Sequence, residues 1–126
     1  MLHMSQLEEL KKFDAPTICN AIEFFELRPR TAGFMNPSIK KVFANDTRTV
    51  GYAVTAKISA MHPPTEEQKK LNDLYYRKLH ASPKPSITVI QDLDPAPMGS
   101  FWGEVQGSIH RSLGCDGVVT SGGVRD

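Results

Sequence analysis

Cysteine is scarce in this chain: Cys19 and Cys115 are its two thiols. Two isolated thiols cannot build a disulfide framework, so a reduced, cytoplasmic setting is expected, with both serving as small core residues. A surplus of either charge is also missing. Fifteen Lys and Arg against 14 Asp and Glu leave a formal net charge of +1. Lys40-Lys41 is too short to serve nucleic acid or a membrane surface, and neither is expected as a partner. No apolar run is long enough to span a bilayer. The opening "MLHMSQLEELKKF" is amphipathic and charged, without the apolar centre of a secretory leader. His3, His62, His80 and His110 show no paired metal spacing. Internal repeats and low-complexity tracts are absent. What remains is ordinary globular composition, 40% hydrophobic and 23% charged over 126 residues, and the expectation is one domain, 1–126.

The local patterns alternate between two periods. Leu7, Leu10 and Phe13 predict the apolar stripe of a short first helix. Asp14 offers a cap and Pro16 fits the first turn of a second, in which Ile18, Ala21, Ile22 and Phe25 recur at helical spacing. That helix is expected to run out near "RPRTAGF". In "TVGYAVTAKI" the period becomes two, with Val50, Tyr52, Val54, Ala56 and Ile58 on one face, which predicts a half-buried strand. Gly51 marks a bulge or a close backbone approach. Helical spacing returns over Met61 to Ser82. Thr65 and Gln68 predict a capping box, Leu71, Leu74, Tyr75 and Leu79 an apolar face, and Glu66 with Lys70 a surface ion pair.

The last forty or so residues read as strand ("SITVI", Ser86 to Ile90), loop ("QDLDPAPMGS"), helix ("FWGEVQGSIHRSL", beginning near Phe101) and strand ("GVVT", Gly117 to Thr120). Val105, Ile109 and Leu113 give the helix its stripe, and Gly114 suits the position just past its end. Such a unit is a crossover between parallel strands, so the segments leaving both strands arrive at one edge of the sheet, where ligands of open α/β sheets bind. "GSFWGE" and "SGGVRD" are therefore expected to meet in space.

The chemistry that would gather there is specific. The first turn of a helix leaves amide N–H groups unpaired and favours an anion. Arg125 carries a planar fork of donors suited to a carboxylate. Glu104 and Asp126 bring two carboxylates without a nearby lysine, an arrangement that calls for protonation, water or a hard divalent cation between them. The same residues also read more plainly, Arg125-Asp126 as a surface pair and Glu104 as a first-turn glutamate favoured by the dipole. Trp102 reads as a packing residue or a stacking surface, His110 as structural and turned from the ligand edge, and Cys115 has no matched base.

These residues resemble a known family, that of the regulator of ribonuclease activity A, which includes the 4-hydroxy-4-methyl-2-oxoglutarate aldolases. Its hallmark is an acidic residue, twenty intervening residues, then Arg-Asp; here Glu104 stands in that relation to Arg125-Asp126. "WGE", "GCDGVV" and "GGVRD" fit as well, and "FDAPTICNAIEFF" and "VGYAVTAKI" extend the likeness upstream.

The resemblance implies an α/β fold, a compact domain of the swivelling β/β/α type whose C-terminal strand-helix-strand unit carries the site, assembled as a homotrimer or hexamer. It implies Asp126 as the ligand of a divalent metal, Mg²⁺ or Mn²⁺. Arg125 would bind the keto acid and stabilise the enolate oxygen, and Glu104 would hydrogen-bond water on the metal. The backbone of Gly103, Glu104, Val105 and Gln106 would receive the substrate carboxylate. The implied activity is that of a class II pyruvate aldolase with oxaloacetate decarboxylation, both proceeding through pyruvate enolate. The alternative is a non-catalytic regulator that binds and inhibits a ribonuclease, as the family's namesake does. Ser121 stands where many members have an acidic residue, and Pro85-Ser86 where a Gly-Asp pair often precedes the strand. Members continue past Arg-Asp, so the chain is expected to be part of a longer product, truncated on its C-terminal side.

Overall fold

The computed structural model describes residues 1–43 and 46–126. They fall into two units, Met1–Val50 and Gly51–Asp126.

The first unit holds α1 (Met4–Leu10) and α2 (Ala15–Glu23). Leu7 is buried, whereas Phe13 lies beyond α1 and is half exposed. Asp14 caps α2 as expected: its carboxylate accepts the Thr17 amide at 2.8 Å, and a proline occupies the first turn. The hydrogen bonding to Thr17 holds the Asp14 carboxyl below its ordinary pKa. The helix stops well before "RPRTAGF". Glu26 adopts a left-handed φ of 51°, which no α-helix can continue through, and Phe25 is left exposed.

The second unit is built on parallel strands. β1 (Tyr52–Ile58), β2 (Ser86–Asp92) and β4 (Cys115–Thr120) form one sheet in the order β1-β2-β4, and both pairings are parallel. Side chains of β1 alternate between partly buried and exposed along its whole length, as the period-two pattern requires. Gly51 is a close approach: a methyl group there would lie 2.9 Å from the Pro85 carbonyl oxygen, which accepts the Tyr52 amide at 2.9 Å.

α3 (Glu66–Ala81) connects β1 to β2. Its capping box forms, with Thr65 Oγ1 accepting the Gln68 amide and Gln68 Oε1 accepting the Thr65 amide. The ion pair differs from the expected one. Glu66 bonds Lys69, one residue nearer than Lys70, at 2.6 Å. Both spacings bring side chains together on a helix, so the choice carries little energy. Of the apolar face, Leu79 is fully buried and Tyr75 half-buried, while Leu71 and Leu74 are exposed.

The crossover from β2 to β4 holds a further strand, β3 (Ser100–Trp102), before α4 (Glu104–Ser112), and β4 leads on to β5 (Gly123–Val124). Phe101 and Trp102 therefore do not begin the helix. Gly103 caps it in an extended conformation, φ −176° and ψ −166°, so helical backbone starts at Glu104. Gly114 closes it with φ 76°, the left-handed position expected past a helix end.

The core of this unit is unusually polar. Leu79, Ile90 and Cys115 are buried, but so are Ser86, Thr88 and His110. Every described buried side-chain polar atom has a hydrogen-bond partner. Among the described residues there are four helices, no closed barrel, and no helix long and apolar enough to cross a membrane.

Candidate functional site

The two segments expected to meet do so as paired strands. β3 and β5 form a two-stranded parallel ribbon with Ser100 opposite Gly123 and Trp102 opposite Val124. The Arg125 amide donates to the Trp102 carbonyl at 3.0 Å, and Ser100 Oγ donates to the Gly123 carbonyl at 2.8 Å. Gly123 earns its place by proximity: a methyl group on it would lie 3.0 Å from the Gly99 carbonyl oxygen.

The ribbon delivers Arg125 and Asp126 to the start of α4. A methyl group on Gly103 would lie 3.0 Å from the Arg125 carbonyl oxygen, 3.3 Å from Arg125 Cγ and 3.4 Å from Asp126 Oδ2. Asp126 adopts a left-handed φ of 67°, a region aspartate tolerates better than most residues. Its Oδ2 accepts from Arg125 Nε at 3.1 Å, and both side chains are largely exposed, so the pair itself adds little stability.

No side chain caps α4. Its first intrahelical backbone bond runs from the Gly107 amide to the Gly103 carbonyl at 2.8 Å, so the amides of Glu104, Val105 and Gln106 precede that ladder. Glu104 and Val105 are exposed, and Gln106 is half-buried with its Oε1 accepting the Tyr76 hydroxyl at 2.8 Å. The structure thus brings Gly103, the first turn of α4, Arg125 and Asp126 together. Glu104 begins the helix, but its carboxylate makes no described bond to the Arg125-Asp126 pair.

The donor chemistry suits a hydrated hard cation. Among the described residues no three His, Cys, Asp or Glu side chains cluster as a ligand set. The Asp126 carboxylate instead lies close against Gly103, with its Oδ2 3.4 Å from where a Cβ would stand, and is half exposed to solvent. Mg²⁺ is typically held through one or two carboxylates, with waters and substrate completing its shell. Asp126 fits that mode.

His110 is buried and structural, and its position explains the neighbourhood. Its Nδ1 bonds the Gln106 carbonyl at 2.7 Å and its Nε2 the Tyr75 hydroxyl at 2.7 Å. Tyr75 continues to Thr88 at 3.1 Å, and Thr88 to Cys115 Sγ at 3.4 Å. Burial lowers the His110 pKa and raises that of Tyr75. Neutral His110 therefore donates from Nδ1 and accepts at Nε2. Trp102 packs over the imidazole with ring centroids 4.5 Å apart, a packing role.

Sequence reasoning passed over Asp92. Its amide donates to Ser121 Oγ at 3.0 Å, and a methyl group on Gly122 would lie 2.9 Å from its Oδ2. The carboxylate thus lies against the glycine turn preceding β5. Its signal in the sequence was its place just after a buried β-branched run, where a parallel strand ends.

A family model described as RraA-like: Aldolase/RraA matches residues 15–126. The chain belongs to the RraA-like family. No curated protein and no solved structure matches it. The RraA-like family embraces both aldolases and regulators, and the aldolases among them depend on a divalent metal. Membership covers all of the site residues, from Gly103 to Asp126, together with the sheet that presents them.

Proposed function

We propose that this RraA-like protein is a divalent-metal-dependent carbon–carbon lyase, cleaving 4-hydroxy-4-methyl-2-oxoglutarate-type acids to pyruvate and a second oxo acid, and decarboxylating oxaloacetate. The observation that carries this reading is the convergence at Gly103. An arginine, a carboxylate and a helix N-terminus come together at one residue whose missing side chain permits that approach.

In this reading the amides of Glu104, Val105 and Gln106 receive the substrate carboxylate, helped by the helix dipole. Asp126 holds the cation, which when bound supplies Lewis-acid stabilisation of the 2-oxo group. Arg125 uses Nε on Asp126 and directs its terminal nitrogens to the 2-oxo oxygen. Charge grows on that oxygen as the C–C bond breaks, so this contact is stronger in the transition state than in the ground state. Glu104 accepts the 4-hydroxyl proton through water as the C3–C4 bond cleaves. The electron pair of that bond forms the pyruvate enolate, and a proton returned to C3 gives pyruvate. Loss of CO₂ from oxaloacetate leaves the same enolate.

The proposal extends to a swivelling β/β/α fold and assembly as a homotrimer or hexamer in the cytoplasm. The resemblance carried by Glu104 and Arg125-Asp126 suggests the fold and the assembly, and light scattering tests the assembly.

The deciding experiment is pyruvate release from oxaloacetate with Mg²⁺ and with chelator, on wild type and Asp126→Ala, after subtracting decay caused by metal alone. Release that needs both metal and Asp126 supports the lyase. Release no faster than with free metal removes it and leaves the regulator, tested by binding to a ribonuclease.

A further inference from the structure

Gln106 is held at two points. Its backbone carbonyl bonds His110 Nδ1 at 2.7 Å, and its side-chain Oε1 accepts the Tyr76 hydroxyl at 2.8 Å. His110 is itself fixed from the far side by Tyr75, which is tied to Thr88 on β2. Neighbouring residues of α3, Tyr75 and Tyr76, therefore both brace α4, one through the imidazole and the other directly. Their rings lie 5.6 Å and 6.0 Å from that of His110.

The first turn of a helix is ordinarily the place where it frays. It is also where the α4 amides precede the hydrogen-bond ladder and where no side-chain cap steadies them. Anchoring the carbonyl and the side chain of the third residue restrains Gln106 on both sides of its Cα, and Gln106 carries the last of the three open amides. Donors held in place beforehand bind an anion without an ordering cost.

We infer that Tyr76 is a positioning residue: by holding the side chain of Gln106 it keeps the first turn of α4 aligned to receive a carboxylate. This rests on the reading of α4 as the carboxylate subsite. Tyr76 touches no substrate, so its loss should weaken capture of the acid and leave the bond-breaking step largely intact.

The test is a double-mutant cycle on the whole chain with Tyr76→Phe, Gln106→Ala and the pair, using oxalate with Mg²⁺ as the binding probe. Oxalate presents a carboxylate with a second chelating oxygen on the adjacent carbon, as a 2-oxo acid does. Binding is read from the amide NMR signals of Glu104, Val105 and Gln106, and KM and kcat are measured for oxaloacetate. Expected are movement of those signals in wild type and an apparent affinity reduced roughly fivefold in each single variant, the size of one net hydrogen bond. The double variant should be no worse than either single one, and KM should rise in step while kcat stays within about twofold, because the carboxylate is held equally in the ground and transition states. Signals that stay still in wild type, unchanged affinity in both single variants, or losses that simply add would each overturn the inference. A purely structural role for Tyr76 would lower the melting temperature and kcat with KM unchanged, and would overturn it too. Oxalate binding that follows the cycle in a protein that releases no pyruvate would uphold the positioning role and remove the lyase reading.

Discussion

The Arg125 amide donates to the Trp102 carbonyl at 3.0 Å. That bond sets the spacing between the Arg-Asp pair and α4, because Trp102 is followed at once by Gly103 and the helix. Arg125 and Asp126 are thus referenced to the helix start through backbone rather than through flexible side chains.

Gly103→Ala tests this spacing. Gly103 has extended backbone that alanine adopts freely, so the added methyl acts through space alone. It must displace the Arg125 backbone at 3.0 Å and crowd Asp126 Oδ2. A fall in kcat/KM of roughly tenfold or more is expected, since ångström-scale misplacement at a reacting centre is costly. Thermal unfolding should move little. Steady-state kinetics beside a melting curve separate the two effects.

The second prediction concerns pH. Burial lowers the pKa of His110 from its ordinary 6.5. Below 6.5 the unfolded chain takes up a proton that the folded one resists, so stability is full above that pH and declines as pH falls toward the folded value. The carboxyls of Asp14 and Asp94 are also lowered, through bonds from Thr17 and Ser59, but from 3.8, so their contributions disappear only in stronger acid. Urea unfolding at steps between pH 7 and pH 5 should show a decline that His110→Phe lacks. That variant should also lose about 1–3 kcal/mol at pH 7, because the Tyr75 hydroxyl keeps Thr88 but loses His110, and the Gln106 carbonyl loses the imidazole N–H.

Gly51→Ala should damage the sheet. Its methyl would meet the Pro85 carbonyl oxygen at 2.9 Å and the Pro85 and Ser86 carbonyl carbons at 3.1 Å, all backbone atoms. Rigid neighbours cannot yield cheaply, and a loss of about 1–3 kcal/mol is expected by denaturant titration. Any loss of activity should follow the folded fraction, with KM unchanged.

Thr65→Ala removes one half of the α3 capping box. The Gln68 amide would turn to water, and about 1 kcal/mol of stability should be lost. Gln68→Ala should cost less when added to Thr65→Ala than by itself, since the two bonds order the same turn.

Local patterns in the sequence were legible where a single element decides its own form. The alternation of β1, the caps at Asp14 and Thr65 and the left-handed Gly114 all follow from neighbouring residues, whereas Gly51 reads as a bulge or a close approach until Pro85, distant in sequence, decides it. The meeting of "GSFWGE" with "SGGVRD" was legible through topology, because parallel strands deliver their exits to one edge. β3 was not. Phe101 and Trp102 pack as readily on a strand as on a helix, and only pairing with β5 settles which. The polar core was hidden for a related reason. Tyr75 and His110 are far apart in sequence, and nothing local to either tells that each completes the other's hydrogen bonds.

The β3–β5 ribbon has a consequence for how such a protein can vary. The connection from 93 to 99 leaves the sheet with Asp94 tied to Ser59 and the Ala60 amide, and re-enters it where Ser100 bonds Gly123. Both ends of that loop are pinned, so insertions between them need not propagate to Gly103, Arg125 or Asp126. The chain can diversify that loop while the residues proposed for the chemistry stay in register.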